Sequence, residues 1–148
     1  DVGDFTQGLY EAGSWDWVIT NPPFRLGEEF VLRALSIARR GVAVLVRTVF
    51  IESVGRYERI FVPHPPTQFA QFAERVPMVK GRLDRKASTA TGYAWVIWEK
   101  SCPQSTNLVW VPPCRKALER PDDYDEPTAP ASPLSHELQP LKQEELLL

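Results

Sequence analysis

The sequence predicts an α/β fold, with a mainly parallel sheet that ends in an antiparallel strand pair. A short β-prone run at 17–20 precedes residues 26–40, whose apolar side chains recur at helical spacing. Residues 42–50 are almost continuously apolar, which is typical of a strand buried on both faces of a parallel sheet. Residues 72–79 and the strongly β-prone residues 92–100 then supply the last two strands.

Charge and capping residues set the expected ends of the helices. Residues 26–40 begin with two glutamates and end with two arginines, which suits the helix dipole, and Gly41 follows as a stop residue. Ser53 is a suitable N-cap for a second helix over 54–61. In the last strand, alternation places Trp95 and Trp98 on opposite faces, which favours core packing over a stacking platform.

Composition divides the chain near residue 100. Residues 1–100 contain 13 basic and 11 acidic side chains, whereas residues 101–148 contain 4 basic and 8 acidic ones. All eight glycines precede residue 93, and eight of the 14 prolines follow residue 100. We therefore predict one folded unit over 1–100 and a Pro-rich acidic tail over 101–148 that is largely extended or disordered.

The composition also excludes several classes of protein. A net charge of −2 argues against nucleic-acid binding driven by global charge, although it permits a local basic patch. The two cysteines lack CxxC spacing, so we expect no metal site. No apolar run reaches the roughly 18–20 residues of a membrane span, so we expect no membrane partner. Without a secretory signal, the expected location is cytoplasmic.

The most informative motif is Asn21-Pro22-Pro23-Phe24, which directly follows the strand at 17–20. Each proline fixes φ, lacks an N–H group and forces its predecessor into an extended conformation, so the strand cannot continue. The carbonyl groups of Asn21 and Pro22 are then left unpaired beside an amide and an aromatic ring. In open α/β sheets, ligands bind at the carboxyl ends of the strands. The alternative is an ordinary turn or helix entry.

This motif closely resembles the (D/N/S)-P-P-(Y/F) signature of class I S-adenosylmethionine-dependent methyltransferases of the adenine-N6 type. The resemblance implies a Rossmann-like methyltransferase sheet and a catalytic role for Asn21, Pro22, Pro23 and Phe24. The side-chain carbonyl of Asn21 and the main-chain carbonyl of Pro22 would accept the two N–H groups of the target amine. This would free the nitrogen lone pair for attack, while Phe24 stacks on the target base, flipped out if the substrate is a duplex.

The same resemblance assigns the cofactor site to Asp4 and Phe5. The family often carries an Asp-Phe pair in which the acid binds the adenine amine of S-adenosylmethionine and the aromatic residue lies near the ring. The alternative for this pair is a capping aspartate followed by a core phenylalanine. The family's glycine-rich loop has no counterpart, because no G-x-G occurs in the chain. We therefore expect the C-terminal half of a methyltransferase domain, with a missing N-terminal half or self-association.

A cluster of basic residues precedes the last strand. Lys80, Arg82, Arg85 and Lys86 are candidate nucleic-acid contacts, since such side chains bind phosphates, or they belong to a solvated hairpin loop. For Arg47, pairing with an acid such as Glu52 is favoured over contact with a ligand at the end of the sheet.

Together these residues predict methyl transfer to an exocyclic amine, most directly adenine N6 in DNA. The resemblance leaves two other amines open, guanine N2 in RNA and a glutamine amide in protein. A function of another class is also open, that of a non-catalytic, nucleic-acid-binding partner subunit without its own cofactor site.

Overall fold

The computed structural model describes residues 4–8, 10–78, 88–102 and 105–124. Within these residues, five strands form one open mixed sheet in the order β1-β2-β4-β3-β5. The α/β class is confirmed. The strands are β1 (Trp15–Thr20), β2 (Ala38–Arg47), β3 (Gln68–Phe72), β4 (Tyr93–Glu99) and β5 (Asn107–Val111).

The helical segments are short apart from the first. Helix α1 (Gly27–Ile37) joins β1 to β2. Helix α2 (Val54–Arg56) is one turn, capped by the Ser53 side chain as predicted, and it continues into a π-helical turn, Tyr57–Phe61. Helix α3 follows β5. Helix α3 spans Arg115–Leu118. Three 3₁₀ turns span Phe5–Gln7, Phe24–Leu26 and Thr48–Ile51.

Strand β4 runs opposite to the other four strands. Strand β1 runs parallel to β2, and β3 runs parallel to β5. Strand β4 is antiparallel to both β2 and β3. The predicted antiparallel pair of strands is therefore present. It does not form the edge of the sheet, however, because β5 continues the sheet beyond β3.

The first predicted helix ends three residues earlier than expected. Residues 38–40 belong to β2, where Ala38 pairs with Trp15 of β1. Arg39 binds Asp16 of β1 through Nε and Nη2, at 2.9 and 2.6 Å. The helical spacing of residues 26–40 was misleading here because pairing with β1 overrides local propensity.

Gly41 is a position of close packing inside β2, not a helix stop. A Cβ atom on Gly41 would lie 2.5 Å from Cη2 of Trp17 and 2.7 Å from the carbonyl oxygen of Trp98. Neither distance is sterically possible, so glycine allows β2 to pass between its two neighbours.

The strand predicted at 72–79 is wrong in position, because β3 occupies Gln68–Phe72 and residues 73–78 are not strand. Strand β5 and helix α3 lie within the region assigned to the tail. Glu74 links them to the sheet, since its carboxylate accepts hydrogen bonds from the amides of Cys114 and Arg115 at 2.7 and 2.8 Å. Residues 125–148 of the predicted tail lie outside the described residues.

The core lies between one face of the sheet and the helices. Val31 and Ala34 of α1 pack with Val42, Val44 and other residues of the central strands. Trp98 is buried, and its indole N–H donates to the carbonyl of His64 at 2.8 Å, consistent with core packing. None of the described helices is long and apolar enough to cross a membrane.

Candidate functional site

The candidate site lies where the parallel strands β1 and β2 end. Because they are parallel, their carboxyl ends lie on the same side of the sheet, which we call the carboxyl edge. Thr20 pairs with Val44 close to this carboxyl edge. Antiparallel β4 begins there, with Tyr93 paired to Arg47. The amide of Thr48 donates to the carbonyl of Gly92 at 3.0 Å and closes this edge. Asn21-Pro22-Pro23-Phe24 is thus at the edge where open α/β sheets bind ligands.

Asn21 and Pro22 lead from the end of β1 to the 3₁₀ turn at Phe24–Leu26. Asn21 is exposed and Pro22 is buried. Pro23 remains extended, with ψ of 128°, and its carbonyl accepts the amide of Leu26 at 2.9 Å. Among the described residues, no hydrogen bond is donated to the Asn21 side chain or to the Pro22 carbonyl. Both carbonyl oxygens are therefore without a hydrogen-bond partner in the part of the chain that the structure describes.

Phe24 lies beside these acceptors and stays accessible. Its side chain is 48% exposed, and its ring centroid is 6.3 Å from that of Tyr93. The guanidinium carbon of Arg47 lies 4.1 Å from the Phe24 centroid, in a cation–π contact. The expected pairing of Arg47 with Glu52 is wrong, since the described residues contain no such ion pair.

A cavity of about 170 Å³ opens next to Phe24. Its walls combine the proline exit, the start of α1 and the turn after β2. The guanidinium of Arg56 donates to the carbonyl of Phe50 and lies 4.7 Å above the Phe50 ring. The described residues that line the cavity are Pro22, Phe24, Gly27, Val46, Arg47, Val49, Phe50 and Arg56. They include two arginines and no carboxylate, so the local charge is positive.

One ion pair joins the start of α1, which lines this cavity, to the π-helical turn. Glu28 in the first turn of α1 binds Arg59 of the π-helical turn through both carboxylate oxygens, one of them 2.9 Å from Nη2. This hydrogen bonding holds the pKa of the Glu28 carboxyl below its usual value. Gly27 permits the start of α1 to approach the Phe50 ring, which a Cβ atom would contact at 3.1 Å. Helix, turn and cavity wall are thereby held together.

Asp4 and Phe5 lie next to α1. The Asp4 carboxylate accepts hydrogen bonds from the Thr6 hydroxyl at 2.6 Å and the Thr6 amide at 2.9 Å, which lower the pKa of Asp4. Phe5 stacks on Phe30 of α1 with centroids 4.9 Å apart. It also lines a largely apolar cavity of about 240 Å³. The other residues of that cavity are Tyr10, Trp15, Trp17, Val18, Ile19 and Ile37.

The predicted basic contacts Lys80, Arg82, Arg85 and Lys86 lie outside the described residues. The residues that flank them meet at the carboxyl edge. The guanidinium of Arg75 donates to the carbonyl of Ala90, and Gly92 lies against Thr48.

The opposite edge of the sheet holds a larger cavity of about 520 Å³. The ammonium group of Lys100 caps the end of α1 there, since it donates to the carbonyls of Leu35 and Ala38. The thiol of Cys102 donates to Glu99 at 3.2 Å, and this bond raises the pKa of Cys102. The hydrogen bonds of Lys100 link the ends of α1 and β4.

The described residues contain no group of three or more His, Cys, Asp or Glu side chains that could hold a metal ion. Comparison with protein-family models, with curated proteins and with solved structures gives no match. Arg56 lines the cavity at the carboxyl edge although no sequence pattern indicated it. The only indication for Arg47 was its position at the end of an apolar run.

Proposed function

We propose that this chain binds an exocyclic amine for S-adenosylmethionine-dependent methyl transfer, with adenine N6 in DNA as the favoured target. The observation that carries the proposal is that the Asn21 side chain and the Pro22 carbonyl accept no hydrogen bond from the described residues, next to the exposed ring of Phe24. The parallel β1-α1-β2 unit and the reversed strand β4 are consistent with the sheet that the motif implies.

Asn21 and Pro22 activate the amine by orientation and electrostatics. An amine conjugated to a base ring is a weak nucleophile because its lone pair is delocalised. When its two N–H groups donate to the two carbonyls, the nitrogen moves towards tetrahedral geometry and its lone pair becomes available. Such preorganised acceptors would stabilise the positive charge that develops on the nitrogen, and water would take the proton that the methylated amine releases, so no side-chain general base is needed.

Phe24 supplies the surface against which a flat base can stack. Its exposed area and the adjoining cavity with aromatic and cationic walls suit a nucleobase better than an aliphatic glutamine side chain. This favours a nucleic-acid substrate over a protein amide. Guanine N2 in RNA remains an alternative with the same chemistry, because both carbonyls accept any N–H donor.

Asp4 and Phe5 are the candidates for holding one end of S-adenosylmethionine, which would supply an electrophilic methyl group when bound. A carboxylate with a lowered pKa stays ionised and can accept an amine N–H, and Phe5 borders an apolar cavity. The chain has no G-x-G loop for the methionine part. The alternative is a non-catalytic, nucleic-acid-binding partner subunit without its own cofactor site.

Transfer of a labelled methyl group tests the proposal. The 148-residue chain is incubated with methyl-tritiated S-adenosylmethionine and, separately, with adenine-containing DNA, with RNA and with glutamine-containing protein. We expect label at adenine N6 in DNA and its loss in Asn21→Ala. Asn107→Ala, an exposed asparagine on β5, is the matched control and should keep activity.

Two outcomes would overturn parts of this proposal. Full transfer by Asn21→Ala would remove the catalytic role of that side chain. Binding of DNA without transfer to any acceptor would remove the claim that these 148 residues transfer a methyl group by themselves.

A further inference from the structure

The two arginines that line the cavity at the carboxyl edge differ in what their guanidinium groups already bind. Arg56 is occupied, because it donates to the carbonyls of Phe50 and Val49. Arg47 makes its cation–π contact with Phe24 but donates no hydrogen bond to the described residues. Its five N–H donors are directed in the guanidinium plane and remain available.

From this difference we infer that Arg47 is a substrate-binding residue that contacts a phosphate group of the target nucleotide. The inference rests on the proposed function, which places the target base against Phe24. In a nucleotide only one sugar separates the base from its phosphate. A base at Phe24 therefore brings a phosphate into the surroundings of that ring, where the Arg47 guanidinium already lies 4.1 Å from the ring centroid.

The chemistry of the contact suits arginine in particular. A planar guanidinium can stack on an aromatic ring with its face and still present N–H groups at its edge, in the fork that binds phosphate oxygens. The cavity contains no carboxylate among its described lining residues that would compete for these donors. Stacking on Phe24 also restricts the side chain before substrate arrives, which lowers the entropic cost of binding.

Strand β2 provides a matched control for this residue. Arg40 lies on the same strand and is exposed like Arg47, but it is near the opposite edge of the sheet. Seven residues of strand separate the two by about 23 Å at roughly 3.3 Å per residue. Arg40→Met and Arg47→Met remove the same charge from the same strand, so a difference between them reports position and not net charge.

The test is the salt dependence of DNA binding, measured by fluorescence anisotropy with a labelled single-stranded oligonucleotide that contains adenine. The full 148-residue chain and its variants are titrated between about 50 and 200 mM salt. We expect Arg47→Met to weaken binding about five- to tenfold and to reduce the slope of log K against log salt by about 0.7, the value for one phosphate contact on a single strand. Arg47→Lys should keep most of the slope, and Arg40→Met should match the unaltered chain.

Equal slopes for Arg47→Met and Arg40→Met, or no binding by the unaltered chain, would overturn the inference. Thermal unfolding of each variant confirms that folding is unchanged, as expected for an exposed side chain. The titration needs no cofactor. Failure of methyl transfer, which tests the proposed function, is therefore distinguishable from failure of the Arg47 contact.

Discussion

Glu28 at the start of α1 and Arg59 in the π-helical turn are joined by a two-pronged ion pair behind the candidate site. Thirty-one residues apart in sequence, they link α1 to the π-helical turn that directly follows Arg56 of α2. Neither residue lines the cavity. The ion pair instead holds the start of α1 and the segment after α2, which adjoin the cavity, next to each other.

The Glu28–Arg59 pair predicts a pH dependence of stability. Hydrogen bonding to Arg59 lowers the pKa of Glu28 in the folded protein. The stabilisation is therefore present above the unfolded pKa of a glutamate and is lost as the pH falls through the folded pKa. We expect Glu28→Gln to lower the melting temperature at neutral pH and to leave it nearly unchanged in acid. Equal losses at both pH values, measured by circular dichroism, would contradict this account.

Gly41 predicts a large effect of a small substitution. Gly41→Ala should lower the free energy of unfolding by about 1–3 kcal/mol, the usual cost of overpacking, because Cβ would meet Trp17 and the Trp98 carbonyl. Urea denaturation measures the change. Adding Trp17→Leu should recover part of the loss by removing one of the two clashes. If Gly41→Ala alone were as stable as the parent chain, β2 would not pass so close to β1.

Phe24 predicts a loss of binding without a loss of folding. Phe24→Ala should weaken the affinity for an adenine-containing single-stranded oligonucleotide by about 1–3 kcal/mol, the range for one stacked base. That corresponds to roughly 5- to 150-fold in the dissociation constant. Phe24→Tyr keeps the ring and should bind like the parent chain. Anisotropy measurements in which Phe24→Ala binds normally would exclude stacking at this position.

The sequence predicted those parts of the fold that local patterns specify. Strand β1, strand β4 and the Ser53 cap were confirmed because alternation, β-branched residues and capping chemistry act over a few residues. The end of α1 was wrong because residues 38–40 suit a helix locally and become strand only by pairing with β1. Strand β5 was missed among prolines, although its run of β-prone residues was a usable indication.

The same distinction applies to the site. Proline geometry predicted that β1 ends before Asn21, and the structure ends β1 at Thr20 and has Pro23 extended. The contact between Arg47 and Phe24 joins residues 23 positions apart and depends on strands β1 and β2 being parallel neighbours. No local pattern carries that information, so the nearby Glu52 was the wrong partner.

The central claim is that Asn21 and Pro22 accept the N–H groups of an exocyclic amine, and amine removal tests it most directly. Affinities are compared for two oligonucleotides that differ only at one position, adenine or purine, which lacks the amine. Two hydrogen bonds at about 0.5–1.5 kcal/mol each predict roughly 5- to 150-fold tighter binding of adenine, a preference that Asn21→Ala reduces and Asn107→Ala keeps. Equal affinity of the unaltered chain for adenine and purine, or an undiminished preference in Asn21→Ala, would contradict the claim.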